Sequence, residues 1–364
     1  MPGSFQSVLF SDVSVDDAFF DSLKEDYPDF TGWFARKSAE GESALVYRDD
    51  LGIGAFVYLK DENEVIELAG QTLPAESRLK IGTLKVADWA QGERLGEGAI
   101  GLALWRWRDA GCSQVYVTVF EKHDTLVGML RKFGFRLVGE KANGESVYVK
   151  DRRTLDFRDP YQYFPFFAPD FGSANLLVIR DHYHDVLFPY SELANAEQLQ
   201  ETFRSAAANG VTKIYISSAE HVAAAPGHPI LVYRKYTGQG GQKGFKSVVT
   251  SYCVVTDVVP IKRHGHEIES FQEYRRRVKN KSVFDEEDIA AWYRGNANIT
   301  AIEMVYLGYF GAGNNVNWWW LKENSCWPVG YPHQFSYTPE QLGTILKRGD
   351  VNIETLVVGQ SGAR

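Results

Sequence analysis

Residues 84–135 constrain the fold of this chain most strongly, because strand-like runs, a glycine-bearing loop and helical patterns alternate there. Residues 79–86 predict a strand, and glycines at positions 92, 96 and 98 come after it. From Ala99 to Trp107 apolar residues recur with a helical period, and Gly111 stands where that helix should end. Residues 115–120 predict a second strand and residues 126–133 a second amphipathic helix. This order indicates an α+β domain.

The loop at residues 91–96 has a chemical consequence. A glycine-containing turn that enters a helix leaves backbone N–H groups free and adds the positive end of the helix dipole. Both effects favour an anion, and Arg94 supplies a cation at the same place. The sequence therefore predicts a phosphate site here, with a ligand-free strand-to-helix turn as the alternative interpretation.

The block resembles the acetyl-CoA-binding core of the GNAT superfamily of N-acetyltransferases. That family carries Gln/Arg-x-x-Gly-x-Gly/Ala on this loop, and here Gln91 and Gly96 fit its ends while Arg94 stands where the first glycine is usual. A later Lys-x-Gly-Phe-like segment matches residues 132–135. A second register, with Gly98 last and Glu93 first, is the alternative; the first register is preferred because it places residues 95, 99 and 100 on the buried face.

The resemblance implies a GNAT-like mixed sheet with flanking helices over residues 1–153, and acetyl-CoA as cofactor. The residues expected to bind it belong to the first strand and the loop, and they are Leu84, Val86, Gln91, Gly92, Arg94, Leu95 and Gly96. The end of that strand, beside residues 117–119, is expected to offer backbone N–H groups to the thioester carbonyl.

Acetyl transfer also needs a base for the acceptor amine and a proton for the departing thiolate. Glu121 and His123 are the expected catalytic residues, as the base or as holders of a water. Many GNAT enzymes use a tyrosine on the second helix as the acid, and Leu130 occupies that position. A protein that binds CoA without catalysis is therefore an alternative.

Composition narrows the class of protein. The net charge is −8, no apolar run reaches the length of a bilayer span, and the N-terminus lacks a signal pattern, so a cytoplasmic protein without a membrane partner is expected. The three cysteines lack metal-ligand spacing. His182 with His184, and His264 with His266, could each share a strand face, but no further ligand stands nearby, so no metal is predicted.

The rest of the chain predicts a linker at residues 154–172, rich in proline and aromatic residues, and a second domain at 173–364. Dense strands separated by Gly- and Pro-bearing turns indicate a small β-barrel with helices. Residues 227–233, before a Val-rich stretch at 247–259, resemble the PUA-like group that includes ASCH and EVE domains. That resemblance implies a pocket for RNA or a modified base.

A basic segment (residues 275–281) and a tryptophan run are the candidate nucleic-acid-binding features. The residues concerned are Arg275, Arg276, Arg277, Lys279, Trp318 and Trp320. Stacking aromatics beside basic residues suit single-stranded or flipped bases, whereas a solvated helix face is the alternative.

Together these features predict an acetyl-CoA-dependent N-acetyltransferase that acts on an amine of RNA, an aminoacyl-tRNA or a modified nucleotide. The alternatives are a non-catalytic CoA-binding nucleic-acid sensor, and a protein or small-molecule acetyltransferase with a recruitment domain. The oligomeric state is not determined by the sequence.

Overall fold

The computed structural model describes residues 5–189, 206–240, 243–327, 330 and 335–358. Its first sheet has the strand order β1-β2-β3-β6-β7-β9-β8, and β4 and β5 form a separate hairpin. These strands are β1 Gln6–Leu9, β2 Ser43–Asp49, β3 Gly52–Glu62, β4 Ile66–Leu68, β5 Gln71–Leu73, β6 Arg78–Val86, β7 Gln114–Val119, β8 Arg136–Glu140 and β9 Ser146–Asp151. In this sheet β6 and β7 are parallel and the other described pairs are antiparallel.

The second sheet has the order β11-β15-β13-β12-β10-β17, with β14 and β16 also paired to β13. Its strands are β10 Ala174–Arg180, β11 Thr212–Ser217, β12 Pro229–Lys235, β13 Val248–Arg263, β14 His266–Glu267, β15 Ile299–Tyr309, β16 Val316–Asn317 and β17 Ser336–Tyr337. The α+β class is confirmed. Within the described ranges the outer strands β11 and β17 do not pair with each other, so the described part of this sheet is open.

The helices are α1 Asp21–Asp26, α2 Phe30–Ala39, α3 Leu95–Ala110, α4 Asp124–Lys132, α5 Pro160–Tyr163, α6 Asp181–Leu187, α7 Ala206–Asn209, α8 Lys243–Lys246, α9 Phe271–Val278, α10 Glu286–Gly295, α11 Trp318–Glu323, α12 Pro339–Arg348 and α13 Ile353–Leu356. Helices α1 and α2 pack on one side of the first sheet and α3 and α4 on the other. Among the described helices, none combines the length and apolar character needed to cross a membrane.

Most local patterns predict their elements correctly. The hairpin of β2 and β3 forms, and α3 ends at Gly111, whose φ of 71° is the left-handed conformation that glycine adopts easily. Of the predicted Val-rich stretch, residues 248–259 belong to one long strand, β13, whose pairing shifts register three times against β15. The sequence also predicts a helix over residues 194–209, of which only residues 206–209, helix α7, lie within the described ranges.

Two local expectations are wrong. The sequence predicts a helix over residues 15–23 that is capped by Ser14, but the structure has a short helical turn at residues 18–20 capped by Asp17, whose carboxylate accepts from Phe19 N–H. His184 lies on α6 rather than on a strand, so it is buried while His182 is exposed. The tryptophan run opens α11, where consecutive side chains point in different directions around the helix.

One core cluster of buried residues extends through both sheets. It includes Trp107 of α3 and Leu307 of β15, together with Phe164 and Phe166 from the predicted linker, all four with no exposed surface. Aromatic side chains that composition assigns to a surface linker therefore fill space between the two halves of the chain. The domain boundaries themselves stay a prediction.

Candidate cofactor groove and active site

The parallel strands β6 and β7 separate partway along their length. Their pairing runs from Arg78 with Gln114 to Ile81 with Val117, and then stops, although β6 continues to Val86. Gly82 is exposed and residues 83–86 are half-buried, so the edge of β6 beyond Ile81 faces an opening. We call this opening the β6–β7 groove.

The glycine loop (residues 91–96) closes one end of the groove and leads into α3. Gly92 has φ 88°, and Arg94, the N-cap of α3, has φ 58° and ψ 21°. Glycine adopts this left-handed conformation at lower cost than other residues, which accounts for the glycine that the GNAT motif usually has where Arg94 stands.

The first turn of α3 has free donors. Gly98 N–H donates to Arg94 C=O at 3.1 Å, whereas no described residue accepts from the N–H groups of Leu95, Gly96 and Glu97. Leu95 is 1% exposed. Buried N–H groups need an acceptor, and the helix dipole favours a negative one, so this turn fits a phosphate.

Apolar side chains line the groove beside this turn. Leu84 and Val86 of β6, with Leu126 and Met129 of α4, are half-buried and pack against the cores. A Cβ on Gly96 would lie 2.9 Å from Met129 Cε and 3.7 Å from Val86 Cγ2. A side chain at position 96 would therefore narrow the groove.

Two further predicted cofactor residues lie on the loop surface, and a third is turned inward. Gln91 and Gly92 are exposed, and Gln91 Nε2 donates to Asp88 at 3.2 Å. The Arg94 guanidinium does not point outward, because it donates to both carboxylate oxygens of Glu97, at 2.9 and 2.8 Å. Arg94 therefore orders the loop, while the α3 amides are left for the anion.

Helix α1 crosses the β6–β7 groove on the side of the first sheet opposite α3 and α4. Ser22 accepts a hydrogen bond from Lys85 of β6, and Asp26, one turn later, binds Lys122 and His123 after β7. His123 Nε2 is 3.1 Å from Asp26 Oδ2. Burial alone raises the pKa of Asp26, but the hydrogen bonds from Lys122 and His123 outweigh it and lower that pKa overall. Asp26 is thus an ionised partner that orients the imidazole.

Sequence patterns missed a second carboxylate near this point. Glu145, 6% exposed, accepts from Tyr27 OH at 2.9 Å, Thr118 Oγ1 at 3.1 Å and Asn143 Nδ2 at 2.9 Å. No described lysine or arginine forms an ion pair with it. Asp26 and Glu145 come from a helix and a hairpin far apart in sequence, so no local spacing connects them.

The two predicted catalytic residues lie in different surroundings. Glu121 accepts from Tyr148 OH at 2.7 Å and lies 3.8 Å from Arg131. The hydrogen bond from Tyr148 lowers the pKa of Glu121, which weakens it as a base. His123 instead keeps Nδ1 without a partner among the residues described, so of the two it is better placed to accept a proton.

Leu130, at the usual tyrosine position, is fully buried in the core. The α4 side chains that border the groove are Leu126 and Met129, neither of which can donate a proton. Among the described residues, α4 therefore offers no side-chain acid to the groove.

The second half of the chain packs directly against α3. A Cβ on Gly98 would lie 2.2 Å from Asn209 C=O, and one on Gly101 would lie 2.3 Å from Val211 Cγ1. Gly98, which the alternative register would assign to the phosphate motif, is thus required for close approach of the second half. Leu95, Ala99 and Ile100 are buried, as the preferred register expects.

A continuous set of hydrogen bonds joins the two halves beside the glycine loop. We call it the interface network, and its members are Arg94, Glu97, Tyr161, Thr212, Lys281 and Glu303. Thr212 N–H donates to Glu97 at 2.6 Å, and Tyr161 OH lies 3.1 Å from Thr212 Oγ1. Glu303 accepts from Tyr161 OH and from Lys281 Nζ, each at 2.8 Å.

The basic segment ends at the glycine loop. Arg94 Nη1 donates to Asn280 C=O at 2.9 Å, and Asn280 Nδ2 donates to Gly92 C=O at 3.2 Å. Two features that lie some 190 residues apart in the sequence, the predicted cofactor loop and the predicted nucleic-acid-binding segment, are therefore in contact.

Ion pairs occupy most of the basic segment. Arg275 and Lys279 both pair with Glu286, and Arg277 pairs with Glu269 at 2.7 Å. Arg276 is exposed, and none of the described carboxylates lies within ion-pair distance of it. Ion pairs thus partly neutralise this helix face, for which a solvated face is the alternative interpretation.

Trp318 and Trp320 lie elsewhere. Trp318 N–H donates to Ser247 C=O next to the start of β13, whereas Arg277 lies 3.6 Å from Asp257 further along that strand. The strand between them spans as much as about 30 Å at full extension. The structure therefore does not combine the tryptophans and the arginines into one site. Their role in nucleic-acid binding stays a prediction.

No family model matches the chain, and no curated protein matches it. Among solved structures, a tyrosine-to-phenylalanine mutant of the AtaT toxin, bound to acetyl-CoA and the C-terminus of the antitoxin AtaR, is 19% identical, covers 41% of this chain and 92% of its own, and has a TM-score of 0.31. A GNAT-family acetyltransferase from Listeria monocytogenes is 16% identical, with 40% and 94% coverage and a TM-score of 0.26.

A serine-to-alanine mutant of the ZmASCH protein from Zymomonas mobilis is 10% identical, covers 49% of this chain and 97% of its own, and has a TM-score of 0.31. Parts of the chain are thus similar to GNAT acetyltransferases and to an ASCH protein. TM-scores this low do not establish a shared fold, so the function is inferred from the contacts within the chain itself.

Proposed function

We propose that this chain is an acetyl-CoA-dependent N-acetyltransferase whose cofactor lies in the β6–β7 groove. The observation that carries the proposal is the pair of parallel strands that separate at Ile81 and Val117, with the free amides of α3 at one end of the opening. The amides of Leu95, Gly96 and Glu97 would hold the pyrophosphate. Bound acetyl-CoA supplies the activated acetyl group.

The side of the groove under α1 is the proposed place for the acceptor amine. The carboxylate of Glu145, which forms no ion pair with a described lysine or arginine, favours a cationic amine there. His123 donates through Nε2 to Asp26, so its Nδ1 is the atom that would accept the proton of the amine. This arrangement parallels the general rule that a base is oriented by a third group.

RNA, or an amine carried by an RNA, is the proposed acceptor class. The support is an exposed patch on α8 and α11, where the rings of Phe245 and Trp319 lie 6.4 Å apart. Lys322 Nζ lies 5.1 Å above the ring of Trp318, and Lys246 is exposed close by. Aromatic faces with neighbouring cations suit stacked bases of a single strand.

Calorimetric titration with acetyl-CoA tests the cofactor site. We expect the unmodified protein to bind, and Gly96→Trp and Met129→Trp to bind weakly or not at all because their side chains fill the groove. Gly128→Ala is the matched control, since its new methyl would have no atom within 4 Å. Equal affinity of all four proteins would contradict the groove assignment.

Release of CoA thiol in the presence of aminoacyl-tRNA, RNA or a peptide tests catalysis. His123→Gln should lower the rate by about 100-fold at unchanged acetyl-CoA affinity, whereas Glu121→Gln should stay close to the unmodified protein. Binding without acceptor-dependent release from any of these substrates would favour the non-catalytic sensor instead.

RNA retention tests the acceptor class. Trp319→Ala should weaken binding of a single-stranded RNA, while Trp89→Ala, with a similarly exposed indole in the first half (42% against 41%), should not. Identical binding by both variants, with transfer to a peptide, would favour the protein acetyltransferase alternative.

A further inference from the structure

We propose that the second half of the chain completes the cofactor site, and that a concavity beside Lys281 binds the 3′-phosphate of acetyl-CoA. The inference rests on the function proposed above. It assigns a phosphomonoester subsite to Arg276, with Lys132 of the first half on the opposite side of the interface network.

The concavity lies between α9 and the chain that comes after it. Its volume is about 270 Å³, and it is lined by Glu269, Glu273, Arg276, Arg277 and Lys281. Its wall therefore carries three cations and two carboxylates, and the partners of those carboxylates decide what it can bind.

Both acidic side chains are already engaged. Glu269 accepts from Arg277 at 2.7 Å, and the Glu273 carboxylate accepts from Ser270 N–H at 2.9 Å and from Ser270 Oγ–H at 2.6 Å. Lys281 pairs with Glu303 at 2.8 Å. Arg276 is left as the cation without a carboxylate partner among the residues described, and a guanidinium can donate two parallel hydrogen bonds to a phosphate.

The concavity adjoins the glycine loop. Asn280, which contacts Gly92 and Arg94, precedes Lys281, and consecutive Cα atoms lie about 3.8 Å apart. On the other side of the interface network, Lys132 Nζ lies 3.9 Å above the ring of Tyr161. Lys132 is exposed and also has no ion pair within the described ranges.

Coenzyme A carries a pyrophosphate and, on the ribose next to it, a 3′-phosphomonoester. With the pyrophosphate at the amides of α3, the monoester is one ribose away from the glycine loop. The surface that adjoins this loop carries Lys132 and Arg276, neither of which forms an ion pair with a described carboxylate, although Glu97 and Glu303 lie near Lys132 and Glu273 lies near Arg276. We expect a dianionic phosphate held by Arg276 to be attracted by Lys132 as well.

The test compares acetyl-CoA with acetyl-dephospho-CoA, which lacks only the 3′-phosphate, by calorimetry on the full chain. The unmodified protein should prefer acetyl-CoA by about tenfold or more. Arg276→Gln should bring that preference close to one while the affinity for the dephospho form stays the same. Lys132→Met should lower the preference partly.

Arg275→Gln is the matched control, because Arg275 is the preceding residue but pairs with Glu286. It should keep the full preference. Equal affinity of the unmodified protein for both cofactors would overturn the subsite and leave the groove intact. No binding of either cofactor would overturn the proposed function with it. If Arg276→Gln weakens RNA binding but not the preference, the concavity serves a nucleic-acid backbone and the proposal is wrong.

Discussion

On the side of α3 that faces the first sheet, the contacts are apolar: Ala99, Ala103 and Trp107 have no exposed surface. On the side that faces the second half, Glu97 and Arg108 are largely buried and hydrogen-bonded, and Gly98 and Gly101 permit contact with the backbone and side chains of residues 209–211. The two sides of α3 are therefore stabilised in different ways. The side that faces the first sheet gains free energy from apolar burial, whereas the side that faces the second half depends on fixed hydrogen bonds and on glycines, whose lack of a side chain permits close approach.

The difference shows how the second half can influence the cofactor site. The apolar side of α3 only positions the helix, but the polar side holds Arg94 and Glu97, which flank the amides proposed to bind pyrophosphate. A change in the second half would therefore alter the glycine loop through Thr212, Asn209 or Asn280.

The substitution with the largest expected effect on stability lies on the apolar side of α3. Trp107→Ala removes a fully buried indole that packs against Phe166 at 5.4 Å between centroids, and should lower the free energy of unfolding by about 3–5 kcal/mol. Denaturant unfolding measures this, with Trp107→Phe as a control that should lose less. A loss below about 1 kcal/mol would show that apolar packing on this side of α3 does not stabilise the protein as described.

On the polar side, Glu97→Gln removes the charge opposite Arg94 and should cost about 2–3 kcal/mol. Arg94 and the hydrogen bond from Thr212 hold the pKa of Glu97 below its usual value although burial raises it. The contribution of Glu97 is therefore full above its unfolded pKa of about 4.3 and is lost as pH falls through the lowered folded value.

The free energies of unfolding of Glu97→Gln and of the unmodified protein, measured across acidic pH, check the sign of this pH dependence. The two curves of free energy against pH should converge at low pH. Glu93→Gln, at an exposed position of the loop, should change stability by less than about 0.5 kcal/mol. A difference that stays constant down to the acid limit would show that the charge of Glu97 is not what stabilises this side.

Gly98→Ala tests close approach on the same side. Its methyl would lie 2.2 Å from Asn209 C=O, so the two halves must separate slightly, at a cost of about 1–2 kcal/mol. Gly128→Ala on α4 has free space and should instead stabilise the protein slightly by its better helix propensity. If both alanines stabilised the protein equally, the contact between α3 and residue 209 would be absent in solution.

The last prediction concerns the pH dependence of stability and a buried lysine, Lys213, behind the polar side of α3. Lys213 donates to the C=O groups of Ala207 and Ala208, and burial, with the charge of Arg94, lowers its pKa to about 7 from 10.5. Between these values the unfolded chain binds more protons, so this residue makes stability rise with pH, by at most about 1.4 kcal/mol per pH unit. Unfolding at pH 7, 8 and 9 should show a flatter slope for Lys213→Met than for exposed Lys235→Met; equal slopes would contradict the shift.

Local patterns predict much of the frame of this molecule. The order of β6, glycine loop, α3, β7 and α4 can be read from periodicity and glycine placement, because these are interactions within a few residues of the chain. The same reasoning proposed His123 and the loop as site residues, but it did not place the tryptophan run on a helix, since three adjacent aromatic residues carry no helical period.

The partners that these elements meet depend on the tertiary structure. Three such contacts join residues between roughly 100 and 190 positions apart. Helix α1 brings Asp26 to His123, Glu145 lies near them without a cationic partner among the described residues, and Asn280 contacts Gly92. Sequence alone specified most of the secondary structure and the presence of a helix N-terminus suited to an anion. The second face of α3 and the neutralisation of Arg275 and Arg277 arise only on folding, because non-local packing and ion pairing leave no periodic signal along the chain.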